Sequence, residues 1–376
     1  MAESATSPGV DVAGLMSQGL TADDRGVIVA PAQRDLDELA RSLADWLRGR
    51  LPGARDVRLS NLSYPRGSGQ SHETILFDAE WIQAREHRRE SLVVRIKPSG
   101  FVIFQDDMFV EQYEIMRVLG DLGTVPVART RWLEEDPSVL GAPFFVMERV
   151  SGRVAVSIPS YFDEGWVAEA TAEQRALLWR NCIDALAAIQ SVPVSAVPFL
   201  ASPTGLRGFD QEWDRWERFL AWIEEFGPLP EHRRVLRRLA DTAPAHRPEG
   251  IVWGDARIGN MMVDDDFEVV ALMDWEQPSL GGALHDLGWW LATQRGKVVS
   301  RGGRLLPGVP ERDEMIAQWG RATGVSTDGI DWYEAFAGFK LACSMVRLLR
   351  ERGQRPPGGD WNDFYQLRQA RELAGL

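Results

Sequence analysis

One block in the second half of this chain is patterned for strands, and it limits the possible folds more than any other: Ile251–Glu276, IVWGDARIGNMMVDDDFEVVALMDWE. Two short apolar runs, Met261–Val263 and Val269–Met273, flank an acidic turn at Asp264–Asp266, so a β-hairpin is expected there. Asp255 and Asn260 share a G-D-x-x-x-x-N loop ahead of it, and Asp274 follows in a D-W-E turn. Such a hairpin brings Asn260 and Asp274 together at its two ends and leaves Asp255 one loop-width away. An amide oxygen beside a carboxylate suits Mg²⁺, which takes hard oxygen ligands and keeps substrate phosphates as co-ligands. A further carboxylate nearby can accept the proton of an attacking hydroxyl. Asp, Asn and Gly also fill ordinary loops. The strand end before Gly254 and the second acid beyond the hairpin are what favour phosphoryl-transfer chemistry.

The rest of the chain divides around this block. Leu36, Leu39, Leu43, Trp46, Leu47 and Leu51 recur at helical spacing and predict a helix over Asp35–Leu51. Val57–Tyr64, Glu73–Trp81 and Ser91–Lys97 read as strands, Asp107–Asp121 as a helix, and Ala128–Glu134 and Pro143–Val150 as two more strands. Ser151–Gly152–Arg153 is the expected hinge. Beyond it, helical periodicity covers Gln174–Ser191, Gln211–Phe226, Glu231–Asp241, Leu284–Thr293, Arg312–Thr323, Trp332–Arg352 and Trp361–Leu373, and the only strands flank the 251–276 block. The expected layout is a disordered tail over 1–21, a small β-rich lobe over 22–150 with one helix in its sheet and another leading it, and a helical lobe over 151–376. The class is α+β.

Composition narrows the partners. The chain has 376 residues and a net charge of −13, which disfavours nucleic acid or an anionic membrane surface as the main partner. No apolar run is long enough to cross a bilayer, and the N-terminus lacks the basic and apolar regions of a signal peptide. The two cysteines, Cys182 and Cys343, lie in apolar helical patterns and read as buried thiols of a cytoplasmic protein. Oligomeric state is left open.

At the 251–290 block the chain resembles the aminoglycoside phosphotransferase and choline kinase superfamily, which has a protein-kinase-like bilobal fold. The likeness runs from about Leu59 to the C-terminus. It is greatest toward the phosphotransferase branch related to the kinase domains attached to some acyl-CoA dehydrogenases. The resemblance implies that Asp255 is the catalytic base and that Asn260 and Asp274 are the magnesium ligands. It also implies that Asp286, in G-G-A-L-H-D-L-G-W-W, holds the metal loop and is not catalytic. Arg257 matches a cation often placed near the transferred phosphoryl group. The chain departs from the family at Trp253, where His is usual. That His hydrogen-bonds nearby backbone, and Trp can fill its space and donate one N–H.

The nucleotide end follows the same resemblance. Gly67, Ser68, Gly69, Gln70 and Ser71, between the first two strands, resemble a phosphate loop whose glycines let backbone N–H groups approach phosphate oxygens; a plain hairpin turn has the same composition. In S-L-V-V-R-I-K-P, Arg95 and Lys97 share one face. Arg95 takes the position of the family's phosphate-holding cation, with Lys97 as the alternative. Gln112 stands where the family has a Glu to pair with that cation, and Glu111 and Glu114 flank it. Phe144–Glu148 resembles the strand that receives adenine through backbone groups, with Met147 and Glu148 at the cofactor and Phe145 either there or in the core. ATP is the expected donor, and GTP stays open because such contacts are mainly backbone.

The acceptor is a small molecule with a hydroxyl. Its expected walls are the aromatic segments Phe209–Phe226, Trp289–Trp290 and Trp332–Phe339 in a chain with 15 Trp, although helical Trp more often packs than binds. A hydroxyacyl-CoA or another small metabolic alcohol is the first expectation, and an aminoglycoside or macrolide the second. A non-catalytic, pseudokinase-like binding module is the contrasting reading, motivated by Trp253 and Gln112.

Overall fold

The computed structural model describes residues 21–22, 28–29, 34–65, 72–98, 102–157, 159–356 and 358–376. Most of the expected tail and the expected phosphate loop, Gly67–Ser71, lie outside the described residues. The fold is α+β and protein-kinase-like, with a small lobe built on an antiparallel sheet and a large helical lobe.

Helix α1 (Leu36–Arg50) opens the small lobe. Asp35 caps it by accepting the N–H groups of Asp37 and Glu38, and acidic residues in its first turn and basic ones in its last match the helix dipole. The sheet follows, with strands β1 (Arg55–Ser63), β2 (Glu73–Gln83), β3 (Glu86–Ile96), β4 (Thr130–Glu134) and β5 (Phe144–Glu148) in the spatial order β1-β2-β3-β5-β4. Helix α2 (Phe109–Leu122) lies between β3 and β4 in sequence.

Strand alternation separates two cores. Leu92, Val94 and Ile96 of β3 and Phe144 and Val146 of β5 pack with Leu39, Leu43 and Leu47 of α1. Phe145, one residue out of phase, joins Phe109, Ile115 and Leu119 of α2 in the core that continues through the large lobe. Arg95, between Val94 and Ile96, therefore projects toward α2 and the large lobe.

The large lobe contains helices α3 (Trp166–Glu169), α4 (Ala172–Ala188), α5 (Phe209–Glu224), α6 (Pro230–Asp241), α7 (Leu284–Ser300), α8 (Arg312–Thr323), α9 (Ile330–Glu351) and α10 (Tyr365–Leu373). Helix α7 runs past the expected end at Thr293. Gly296 and the polar residues around it break the apolar periodicity without breaking the helix. The hairpin forms as expected, with β7 (Met261–Val263) paired to β8 (Val269–Leu272). The Asp264 carboxylate accepts the N–H groups of Asp266 and Glu268 and closes the turn.

The expected hinge is more ordered than its sequence suggested. Arg153–Val154 forms strand β6, pairing Arg153 with Val263 and Val154 with Met262, so the hairpin belongs to a three-stranded sheet. Two residues are too few to show a period. Gly152 permits the approach: a Cβ there would lie 2.6 Å from Met262 Cγ and 2.9 Å from the Val263 carbonyl oxygen. Cys182 and Cys343 are buried free thiols. Among the described residues, no helix is long and apolar enough to cross a membrane.

His232, on α6, is fully buried, and among the described residues neither ring nitrogen has a hydrogen-bond partner. Burial, aided by Arg350, pushes its pKa down to about 4. An unfolded chain holds a His proton up to about pH 6.5. Between those values the unfolded chain binds a proton that the folded chain refuses, so acidification through this window favours unfolding. His232→Phe is expected to narrow the gap between the thermal midpoints at pH 7 and pH 5, as read by scanning calorimetry.

Candidate active site

The site is built mainly on the chain between α6 and the start of α7. Val252 and Ser279 exchange backbone hydrogen bonds at 2.8 and 3.1 Å, closing the 252–279 segment at its base. The N–H groups of Trp253 and Gly254 then donate to the two Asp286 oxygens at 2.6 and 3.0 Å. Burial pushes the Asp286 pKa up to about 6 against those two hydrogen bonds, which favour the charged form. Gly254 has φ 107°, and a Cβ there would meet the Gln277 carbonyl oxygen at 2.6 Å. Glycine is required on both counts. Trp253 is fully buried, and its indole N–H donates to the Met273 carbonyl at 2.8 Å. The Trp thereby ties the Asp255 loop to the residue before Asp274.

Asp255 is held from three sides. Its Oδ2 accepts from Arg257 Nε at 2.8 Å and Asn260 Nδ2 at 2.7 Å, and its Oδ1 accepts from Trp289 Nε1 at 2.9 Å. Arg257 also donates to Ser157 Oγ at 3.2 Å. Asn260 spends its amide nitrogen on Asp255, donating to the backbone carbonyl as well at 3.1 Å. Its amide oxygen has no protein donor among the described residues. The Asn260 carbonyl accepts the Met273 N–H at 2.8 Å, which brings the two ends of the hairpin together.

Asp274 has a left-handed backbone, φ 63°. Its Oδ1 accepts from Arg95 Nη2 at 2.5 Å. Burial disfavours the Asp274 charge, but the Arg95 guanidinium outweighs it and holds the carboxyl below its usual range. His72 Nδ1 lies 3.2 Å from the same Arg95 nitrogen and 3.3 Å from Glu276 Oε2. Burial, and then Arg95, push the His72 pKa down to about 3, so the ring is neutral at physiological pH.

The remaining candidates are spread more widely. Gln112 is buried, but among the described residues neither of its side-chain amide atoms has a hydrogen-bond partner, and Arg95 bonds Asp274 in its stead. Glu114 pairs with Arg117 at 2.8 Å, and Lys97 with Asp107. Met147 is half-buried on β5, and Glu148 pairs with Arg131 at 3.0 Å. Phe145 is core, packed on Phe109 and Tyr113. Much of the aromatic surface expected around the acceptor is also packing, with Trp213 stacked on Phe336 and Trp216 against Phe219.

Sequence reasoning did not find His72 or Ser157, and it assigned Trp289 to the acceptor wall without its contact to Asp255. One signal for Trp289 was available. It follows Asp286 by three residues on the same helix, so both side chains face the same loop.

Two protein oxygens, from Asn260 and Asp274, could hold a metal. Among the described residues no three His, Cys, Asp or Glu side chains converge to hold one. Such a sparse set of hard oxygens suits an ion that keeps waters and phosphate oxygens as its other ligands.

Comparison with known proteins shows the family and the fold. The profile of the phosphotransferase enzyme family matches residues 64–336. The Arabidopsis thaliana protein named "Probable acyl-CoA dehydrogenase IBR3" is 27% identical over 329 residues, covering 82% of this chain and 38% of that protein. "Acyl-CoA dehydrogenase family member 11" of Mus musculus is 25% identical over 317 residues, 80% of this chain and again 38% of its own length. The chain thus spans well under half of these relatives. Among solved structures, a Ralstonia eutropha protein described as an aminoglycoside phosphotransferase superposes with a TM-score of 0.64 at 24% identity, covering 89% of this chain and 95% of that one. A macrolide 2'-phosphotransferase type I superposes with a TM-score of 0.55 at 15% identity, covering 90% and 96%.

Trp253→Phe keeps an aromatic ring in place but removes the donor to the half-buried Met273 carbonyl. The expected cost is roughly 0.5–1.5 kcal/mol of stability, the net contribution of one hydrogen bond, measured by urea denaturation. Trp253→His, which keeps a ring N–H, is expected to cost less than Trp253→Phe.

Proposed function

The chain belongs to the phosphotransferase enzyme family, and on that premise we propose that it moves the γ-phosphoryl group of ATP onto a hydroxyl of a small molecule, with a hydroxyacyl-CoA as the acceptor. The observation that carries this reading is Asp255. It is a carboxylate fixed by three donors, and one of them, Asn260, has its oxygen free for a metal.

Asp255 orients the acceptor hydroxyl and takes its proton. Asn260 and Asp274 would hold Mg²⁺, which when bound neutralises charge on the transferring phosphates. Arg95, the cation now on Asp274, is placed to hold the α- and β-phosphates once nucleotide enters, and its planar fork suits that task. Arg257 adds positive charge beside Asp255, where charge spreads over the phosphoryl oxygens in the transition state. Gly67–Ser71 would contribute backbone N–H groups and Met147–Glu148 the adenine contacts.

The acyl-CoA part of the reading rests on the relatives' names. Solved neighbours are complexes of AMP-PNP with hygromycin B, or of AMP-PNP and Ca²⁺ with Ami, which supports a nucleotide and a small acceptor for this fold.

Asp255→Asn keeps the shape and removes the base. Expected is a loss of ADP release of about a hundredfold or more, with Mg·ATP affinity by calorimetry within a few-fold of wild type. The acceptor panel is hydroxyacyl-CoAs, simple alcohols, choline, aminoglycosides and macrolides. Equal ADP release by both proteins would remove Asp255 from the chemistry. Turnover only with an antibiotic would replace the acyl-CoA acceptor.

A further inference from the structure

We propose that Trp289 is a positioning residue for Asp255, and that its indole N–H designates Oδ1 as the oxygen that takes the acceptor's proton. The inference rests on the phosphotransfer reading above and deepens it.

An ionised carboxylate offers about four lone-pair sites, two on each oxygen. On Asp255, Oδ2 has both filled, by Arg257 and Asn260. Oδ1 has one filled among the described residues, by Trp289. The open direction on Oδ1 is where an acceptor hydroxyl can donate. As the acceptor oxygen bonds to the γ-phosphorus, its O–H proton passes to Oδ1. The bond from the γ-phosphorus to the bridging oxygen breaks, and ADP leaves with the electron pair. Without the indole donor the carboxylate has Oδ2 as its only anchor, and Oδ1 can turn away from the hydroxyl.

What lies behind the ring supports a fixed position. Trp289 is 4% exposed, and the Lys340 ammonium lies 5.3 Å from its ring centroid. Lys340 is itself buried, also faces the rings of Trp216 and Phe336, and pairs with Glu212 at 3.2 Å. Glu212 in turn accepts from Ser279 Oγ at 2.8 Å and Trp216 Nε1 at 3.0 Å. A buried ion pair is a weak source of stability, because desolvation offsets its attraction. Its place beneath the ring that touches the base gives it a second role: it holds that ring by a cation–π contact.

Two variants separate a hydrogen-bonding role from a packing role. Trp289→Phe keeps most of the ring and deletes the N–H. Trp289→His has a smaller ring but keeps a donor. ADP release from Mg·ATP is measured with water as acceptor, and then with whichever acceptor the wild type turns over. Mg·ATP affinity and the thermal midpoint are measured alongside. The expected result for Trp289→Phe is a kcat lower by about ten- to a hundredfold, the scale of a misplaced catalytic group. Its KM for ATP should stay within about twofold, because the indole touches the base and not the nucleotide. Trp289→His is expected to retain more kcat than Trp289→Phe. Wild-type kcat in Trp289→Phe overturns the inference, and so do activities that follow ring size, with Phe above His. If Trp289→Phe fails to fold, a folded Trp289→His that binds Mg·ATP but shows no turnover overturns it as well. A wild type that binds Mg·ATP and releases no ADP with any acceptor or with water removes the phosphotransfer reading itself, whereas wild-type turnover matched by Trp289→Phe removes only the role of Trp289.

Discussion

Two backbone N–H groups on one buried carboxylate hold this site in place, those of Trp253 and Gly254 on Asp286. Asp286 belongs to the first turn of α7, a rigid element, so the loop that carries Asp255 is fixed to a helix. The next residue is Asp255, and the next turn of the same helix supplies Trp289 to its other side. The Trp253 indole carries the constraint across to Met273, and from there to Asp274. Loss of the Asp286 contacts would leave two backbone donors unpaired and release Asp255, Asn260 and Asp274 together.

The second dependence is electrostatic and runs between lobes. Alternation along β3 aims Arg95 out of the small lobe's own core, and Asp274 receives it. Gln112 carries no charge, and its side-chain amide has no hydrogen-bond partner among the described residues, so it does not compete for that guanidinium. Arg95 beside Asp274 favours the ionised form of that carboxylate. In the proposed mechanism the same cation serves the nucleotide phosphates.

How much of this could be read in advance differs by residue. The hairpin was legible because two apolar runs and an acidic turn are a local pattern, and the Asp264 side chain closes that turn within five residues. The small-lobe strands were legible for the same reason. Strand β6 was not, since two residues carry no period and its partner lies in the hairpin. The end of α7 was lost behind Gly296. Arg95 was picked out by strand position, but its partner is 179 residues away and depends on how the lobes meet. Trp289 was noticed for its bulk. Its N–H reaches a carboxylate 34 residues earlier, and no propensity encodes that direction.

The central claim is that a γ-phosphoryl group moves to an acceptor hydroxyl at Asp255. Phosphorus NMR of the full-length protein with Mg·ATP and hydroxyacyl-CoAs tests it most directly, because it identifies the product as well as the loss of ATP. The account requires a new phosphate monoester resonance growing in step with ADP. ATP that stays intact, or that yields only inorganic phosphate while each acceptor is present, would contradict it.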